Sequence, residues 1–115
     1  ISPNTMRRGE VVVVADRAGG DYAGKPRPAV VVQSDMYDQT LSLVVCPLTS
    51  RERDAGLLRV AVAPSDRLSI RQPSWVMVEK LTSIRRDRAT SVIGRLSDEE
   101  ITALNRSLAV FLGFA

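Results

Sequence analysis

The first patterned segment of the chain is Glu10 to Ala15, where Val11-Val12-Val13-Val14 follow one another with no polar break. Four successive β-branched residues predict a strand covered on both faces, because a half-buried strand would alternate. Asp16 to Arg27 interrupts the pattern with Gly, Asp and Pro, including Gly19-Gly20, and reads as a long mobile loop. Loops of this length often carry function. Pro28 to Gln33 predicts a second strand, Ser34 to Thr40 a polar connection containing Tyr37, and Leu41 to Pro47 a third strand. Leu48 to Gly56 is polar and charged, a loop just past that strand. Leu58, Val60 and Val62 then alternate with Arg59, Ala61 and Ala63, the period of a half-buried strand. Pro64-Ser65-Asp66 marks a turn, Trp75 to Glu79 a further strand, and Thr82 to Ile84 and Ser91 to Ile93 two short ones.

Near the end the period changes. Ser97 and Glu100 form an S-x-x-E capping box, with Leu96 and Ile101 placed as a hydrophobic staple. Ile101, Leu104, Leu108 and Phe111 fall on one helical face, and Gly113 suits a C-terminal cap. Several short strands followed by one helix predict a mainly β fold. The sheet should be small, strongly curved and antiparallel, or a barrel, with the helix stripe packed against it.

At 115 residues the chain fits one domain, expected over residues 6–115, with Ile1 to Thr5 a patternless extension before Met6. The net charge of +3 comes mostly from arginine, since Lys25 and Lys80 are the only lysines. This favours an anionic partner such as nucleic acid, although an ordinary solvated surface also accounts for it. The absence of histidine removes the commonest general base and the commonest neutral metal ligand. Cys46 is the single cysteine, so neither an intrachain disulfide nor a Cys/His metal cluster can form, and no cofactor is expected. Within Leu43-Val44-Val45-Cys46 it reads as a buried, inert thiol. No apolar run approaches the ~20 residues of a membrane span and no signal-peptide pattern is visible, so the expected location is cytoplasmic.

The richest local chemistry is Lys25-Pro26-Arg27-Pro28. The two prolines bias the backbone towards extended geometry and place a cation at the mouth of the second strand. A planar, forked guanidinium held this way suits a phosphate. A rigid turn with a solvated arginine is the competing reading. Thr49 and Ser50 lie just past strand three, Glu79 at the end of the Trp75 strand and Glu10 at the start of the first. If these strand ends converge, Arg27 would stabilise phosphate charge, a Thr49 or Ser50 hydroxyl would donate to a phosphate oxygen, and Glu79 would act as a base. RNA, whose 2′-hydroxyl is a built-in nucleophile, would then need no protein nucleophile or metal. The alternatives remain open: Thr49 and Ser50 as turn residues bonding their own backbone, Glu79 as a solvated strand end, Glu10 paired with Arg7 or Arg8, and Trp75 in the core.

Arg8-Gly9-Glu10, the valine strand, the Gly-rich loop, Pro26-Arg27-Pro28-Ala29-Val30-Val31-Val32 and Val45-Cys46-Pro47-Leu48-Thr49-Ser50 together resemble the MazF/PemK toxins of type II toxin–antitoxin systems. The resemblance runs in order along nearly the whole chain from Met6. It implies an SH3-like antiparallel β-barrel with a C-terminal helix, in a homodimer. It also implies an endoribonuclease, an mRNA interferase that cuts single-stranded RNA and leaves 2′,3′-cyclic phosphate and 5′-hydroxyl ends, with a cognate antitoxin blocking the site. By the same resemblance Arg27 and Thr49 are catalytic. Glu79 joins them as the candidate base, with Glu10, Asp21 or a water held by Thr49 as the other candidates. The expected substrate-binding set is Glu10, Asp21, Lys25, Ser50 and Arg51. One branch of the family carries an Arg-x-Asp pair where this chain has Met77-Val78-Glu79, and some members carry a first-loop histidine near the position of Asp21 or Tyr22. A second resemblance is to CcdB, a gyrase poison on the same fold without nuclease activity. It rests on Val32-Gln33-Ser34-Asp35, Ser74-Trp75, Ser91-Val92-Ile93-Gly94 and Phe111-Leu112-Gly113-Phe114. Leu112 stands where CcdB has a tryptophan, and CcdB lacks the Pro-Arg-Pro segment. A barrel retained only as a binding module is a third reading.

Overall fold

Val11 and Val12, neighbours in strand β1 (Glu10–Val14), are both fully buried. Adjacent strand residues point to opposite faces, so β1 is covered on both sides, as its uninterrupted valines predict. The computed structural model describes residues 6–15, 26–52 and 56–115 of the chain; the Gly-rich loop falls outside them. β2 (Arg27–Val31), β3 (Ser42–Thr49), β4 (Arg59–Val62), β5 (Ser74–Met77), β6 (Thr82–Arg85), β7 (Ala89–Arg95) and helix α1 (Asp98–Leu112) complete the framework. Short 3₁₀ turns span Asp35–Tyr37, Gly56–Leu58, Val78–Lys80 and Arg86–Arg88.

All strand pairs are antiparallel, in the order β4-β5-β3-β2-β1-β7, with β6 also joined to β3. β3 is the hub. Val45 to Pro47 pair with β2, Ser42 to Val45 with β6, and Leu48 and Thr49 with β5. Serving two partners on one edge makes the sheet curl. The outer strands β4 and β7 are joined by the segment after β4 rather than by a ladder. Arg95 N–H donates to the Arg67 carbonyl at 2.9 Å, Ser69 N–H donates to Ile93 at 2.9 Å, and Leu68 bridges Gly94. The result is the small barrel-like fold that the strand pattern predicts.

Burial divides in two. Val11, Val30, Cys46 and Val76 face one core, capped by Leu104 and Leu108 of α1. Val12, Ala29, Val31, Val45 and Ile84 face a second. The helix forms as its local signals dictate: Glu100 N–H donates to the Ser97 hydroxyl at 3.1 Å, and Glu100 accepts from Ser97 N–H at 2.8 Å. Gly113 closes it with φ 87°. The apolar stripe ends early, however, because Phe111 stays 42% exposed.

Most strand ends shift by one or two residues from the sequence pattern, and two of the shifts bear on the site. β3 continues to Thr49, because Thr49 pairs with Trp75 across the ladder. β5 stops at Met77, and Glu79 lies in a 3₁₀ turn rather than at a strand end. Trp75 is half-buried and belongs to neither core.

Cys46 is fully buried, and its thiol is pushed from 9.0 up to about 12, chiefly by burial and then by the Glu79 charge, against the opposing charge of Arg8. A thiol reagent at pH 8 should therefore label the native protein far more slowly than the urea-unfolded protein, in which the ordinary thiolate fraction returns. The folded state holds its proton longer than the unfolded state. Stability therefore falls as pH rises from about 9 towards about 12, and Cys46→Ala should flatten that fall in alkaline urea titrations.

Candidate active site

Arg27 is the first residue of β2, opposite Val14 of β1, and its side chain is exposed. The β2–β3 register places Ala29 opposite Pro47. In an antiparallel pair, two residues back on β2 match two residues forward on β3. The start of β2 and the end of β3 therefore come side by side, and Arg27 and Thr49 line one open cleft of about 960 Å³ together with Ser50 and Arg51. Ser69 to Gln72, Met77 and Lys80 also line it.

The charge in this cleft is one-sided. Arg27, Arg51, Arg71 and Lys80 line it, and no carboxylate does among the described residues. A cleft lined by one sign of charge concentrates ions of the other sign. Thr49 Oγ1 accepts from Arg51 N–H at 3.1 Å. This is the local backbone bond open to a turn threonine. It fixes the hydroxyl while leaving its own hydrogen to donate. Ser74, which also lines the cleft, donates to the Gln72 carbonyl at 3.1 Å and so holds the bend carrying Arg71 and Gln72.

Two expected acids sit elsewhere. The Glu79 carboxylate pairs with Arg59 of β4, whose side chain is only 8% exposed. Its neighbours Met77 and Lys80 reach the cleft, but Glu79 does not line it. The sequence places a carboxylate near a strand end, and the fold gives that carboxylate a cation on the adjoining strand. Glu10 accepts from Arg7 N–H at 2.7 Å and lies opposite Arg95 on β7, also away from the cleft lining. The Arg8-Gly9-Glu10 segment is a structural tie: Arg8 Nε donates to the Val32 carbonyl at 2.9 Å and Gly9 N–H to Val31 at 2.8 Å. Asp21 and Lys25 lie outside the described residues. The sequence pattern does not single out Arg71, Gln72 and Lys80. Their only local signals are a cation two residues before Pro73 and one of two lysines in the chain.

Comparison with known proteins places this geometry in context. Residues 7–112 match the PemK-like, MazF-like toxin of type II toxin–antitoxin systems. The chain is 39% identical over 110 residues to a probable endoribonuclease MazF of Mycolicibacterium smegmatis, covering 96% of this chain and 99% of that protein. It is 31% identical over 114 residues to endoribonuclease MazF9 of Mycobacterium tuberculosis, covering 93% and 96%. Among solved structures, a mycobacterial endoribonuclease in complex with its cognate antitoxin superposes with a TM-score of 0.78 at 23% identity, over 96% of this chain and 97% of that one. A MazE–MazF structure from Deinococcus radiodurans gives 0.77 at 22% identity, over 95% and 97%.

Proposed function

Because this chain belongs to the PemK-like, MazF-like toxin family, we propose that it is an endoribonuclease toxin that cuts single-stranded RNA, mRNA included. The observation that carries the reading is the convergence of Arg27 with Thr49 and Ser50 in a cleft whose charged lining, among the described residues, is entirely cationic. The scissile phosphate lies against Arg27. The 2′-hydroxyl of the preceding ribose gives its proton to water as its oxygen attacks phosphorus, and charge builds on the equatorial oxygens. The Arg27 fork and the Thr49 hydroxyl offset that charge where it develops. The P–O5′ bond breaks and the 5′-oxygen takes a proton from water, giving a 2′,3′-cyclic phosphate and a 5′-hydroxyl. Ser50, Arg51, Arg71 and Lys80 hold flanking phosphates. Glu79 and Glu10 are already bonded to Arg59 and Arg7, and this scheme gives neither a proton-transfer step.

A cognate antitoxin inhibits the enzyme, as the family membership and the antitoxin complex of a structural relative support. The enzyme works as a homodimer in the cytoplasm, where mRNA is. The gyrase-poison reading loses ground, since the matched family is the PemK/MazF one and Leu112-Gly113 simply end and cap α1.

The test incubates purified protein with single-stranded RNA in EDTA and maps the ends. Cyclic phosphate and 5′-hydroxyl ends are expected. Cleavage abolished by EDTA would overturn the metal-free route, and trapped gyrase–DNA complexes without RNA cleavage would restore the gyrase reading. Thr49→Val, which keeps the shape and removes the donor, should lower kcat/KM by about 10- to 100-fold, the worth of one hydrogen bond to a charged group.

A further inference from the structure

Arg27 and Pro28 line a second cleft as well as the first, so they form the ridge between the two. The second cleft has a volume of about 370 Å³, within the ~300–1,000 Å³ range of sites that hold small ligands. Its floor is Ala29, Val45 and Ile84, where the second apolar core reaches the surface. Thr82 lies opposite Val45 in the β3–β6 ladder and so shares its face. Arg88 supplies a second cation. Its Nε and Nη2 donate to the Ala15 carbonyl at 3.1 and 2.8 Å, which fixes the guanidinium. No carboxylate lines this cleft among the described residues.

An apolar floor with a hydroxyl and cationic rim, directly beside a phosphate-holding arginine, has the chemistry of a nucleobase site. A base has apolar faces and a polar edge. Single-stranded RNA is read by splaying bases into such sites, often against guanidinium planes. We propose that this cleft takes the nucleobase adjacent to the scissile phosphate and makes Thr82 and Arg88 determinants of the cleavage sequence. The inference rests on the nuclease reading above. The rim carries donors and no carboxylate, so it favours a carbonyl-bearing edge, as in guanine or uracil.

The test begins once the wild-type protein has been shown to cut RNA and the cut site is known. A strand with a 2′-deoxynucleotide at the cut site binds without reacting. A photoreactive thiobase, 4-thiouridine or 6-thioguanosine, is placed on either side of the scissile phosphate in separate strands. One of the two should cross-link to the peptide spanning Thr82–Arg88. Cross-links from both positions only to residues 69–72 would overturn the inference. In parallel, Thr82→Trp fills the cleft and leaves residue 27 an arginine. It should raise KM for the normal substrate about tenfold or more, in keeping with the ~1–3 kcal/mol of one bound base. It should also abolish the penalty that the wild type shows for an abasic residue at that position. An unchanged abasic penalty would count against the proposal. Failure of the wild type to cut RNA would bring down the nuclease reading and this inference together, whereas cutting with failed cross-links removes the inference alone.

Discussion

Arg27→Ala should lower kcat/KM for RNA cleavage by about 10²–10³-fold, the usual cost of removing a donor aimed at developing charge. The prediction follows from position. Arg27 opens β2 beside the end of β3, its side chain is exposed, and it shares the cleft with Thr49. Pro28 fixes its own φ and restrains Arg27 to extended backbone, so the guanidinium would approach a phosphate from a strand rather than from a free loop. Loss of an exposed side chain leaves no cavity, and the unfolding free energy from urea titration should change by no more than ~0.5 kcal/mol. Arg27→Lys keeps the charge but loses the fork, and should recover part of the rate. Single-turnover cleavage beside a urea melt separates the two effects. Wild-type kinetics in Arg27→Ala would move the scissile phosphate to Arg51, Arg71 or Lys80.

The helix and the two-faced first strand were readable from the sequence because their causes are local. A capping box spans four residues, and unbroken valines state that both faces are covered. The ends of β3 and β5 were not readable, because Thr49 and Trp75 extend each other's strands only once they meet. The same holds for the site. Arg27, Thr49, Ser50 and Arg51 flank two strand ends, and the antiparallel register brings those together. Arg71 and Lys80 join them only because the chain after β4 crosses to β7 and back. Glu79 is the reverse case. Its position suggested chemistry, but its partner Arg59 stands on a strand that the local pattern could not place beside it. Polar residue type reveals what a side chain can do; the fold decides which neighbour it does it with.

Gly94→Ala should destabilise the protein by about 3 kcal/mol or more, a size reached by backbone strain combined with steric overlap. Gly94 has φ +143°, and a Cβ there would stand 2.1 Å from the Arg67 carbonyl oxygen and 2.6 Å from Leu68 Cα. Both obstacles are backbone, so no side chain can swing aside. The approach is close because Arg67 to Ser69 bond to β7 in place of a β4–β7 ladder, with Leu68 buried at 1% exposure beneath. Gly56→Ala is the control. Gly56 has φ +57° with nothing within 4 Å of where its Cβ would stand, so it carries only the left-handed penalty of about 1–2 kcal/mol. Urea titration should separate the two variants clearly. The bridge also feeds the cleft wall at Ser69 to Gln72, so Gly94→Ala should raise KM for RNA under conditions where it remains folded. Amide exchange at Ser69 and Arg95 should speed up selectively, because those two N–H groups close the bridge. If both amides keep their protection and the unfolding free energy stays within ~0.5 kcal/mol of wild type, the segment is not pinned at Gly94. The curled sheet would then hold its outer strands by core packing alone.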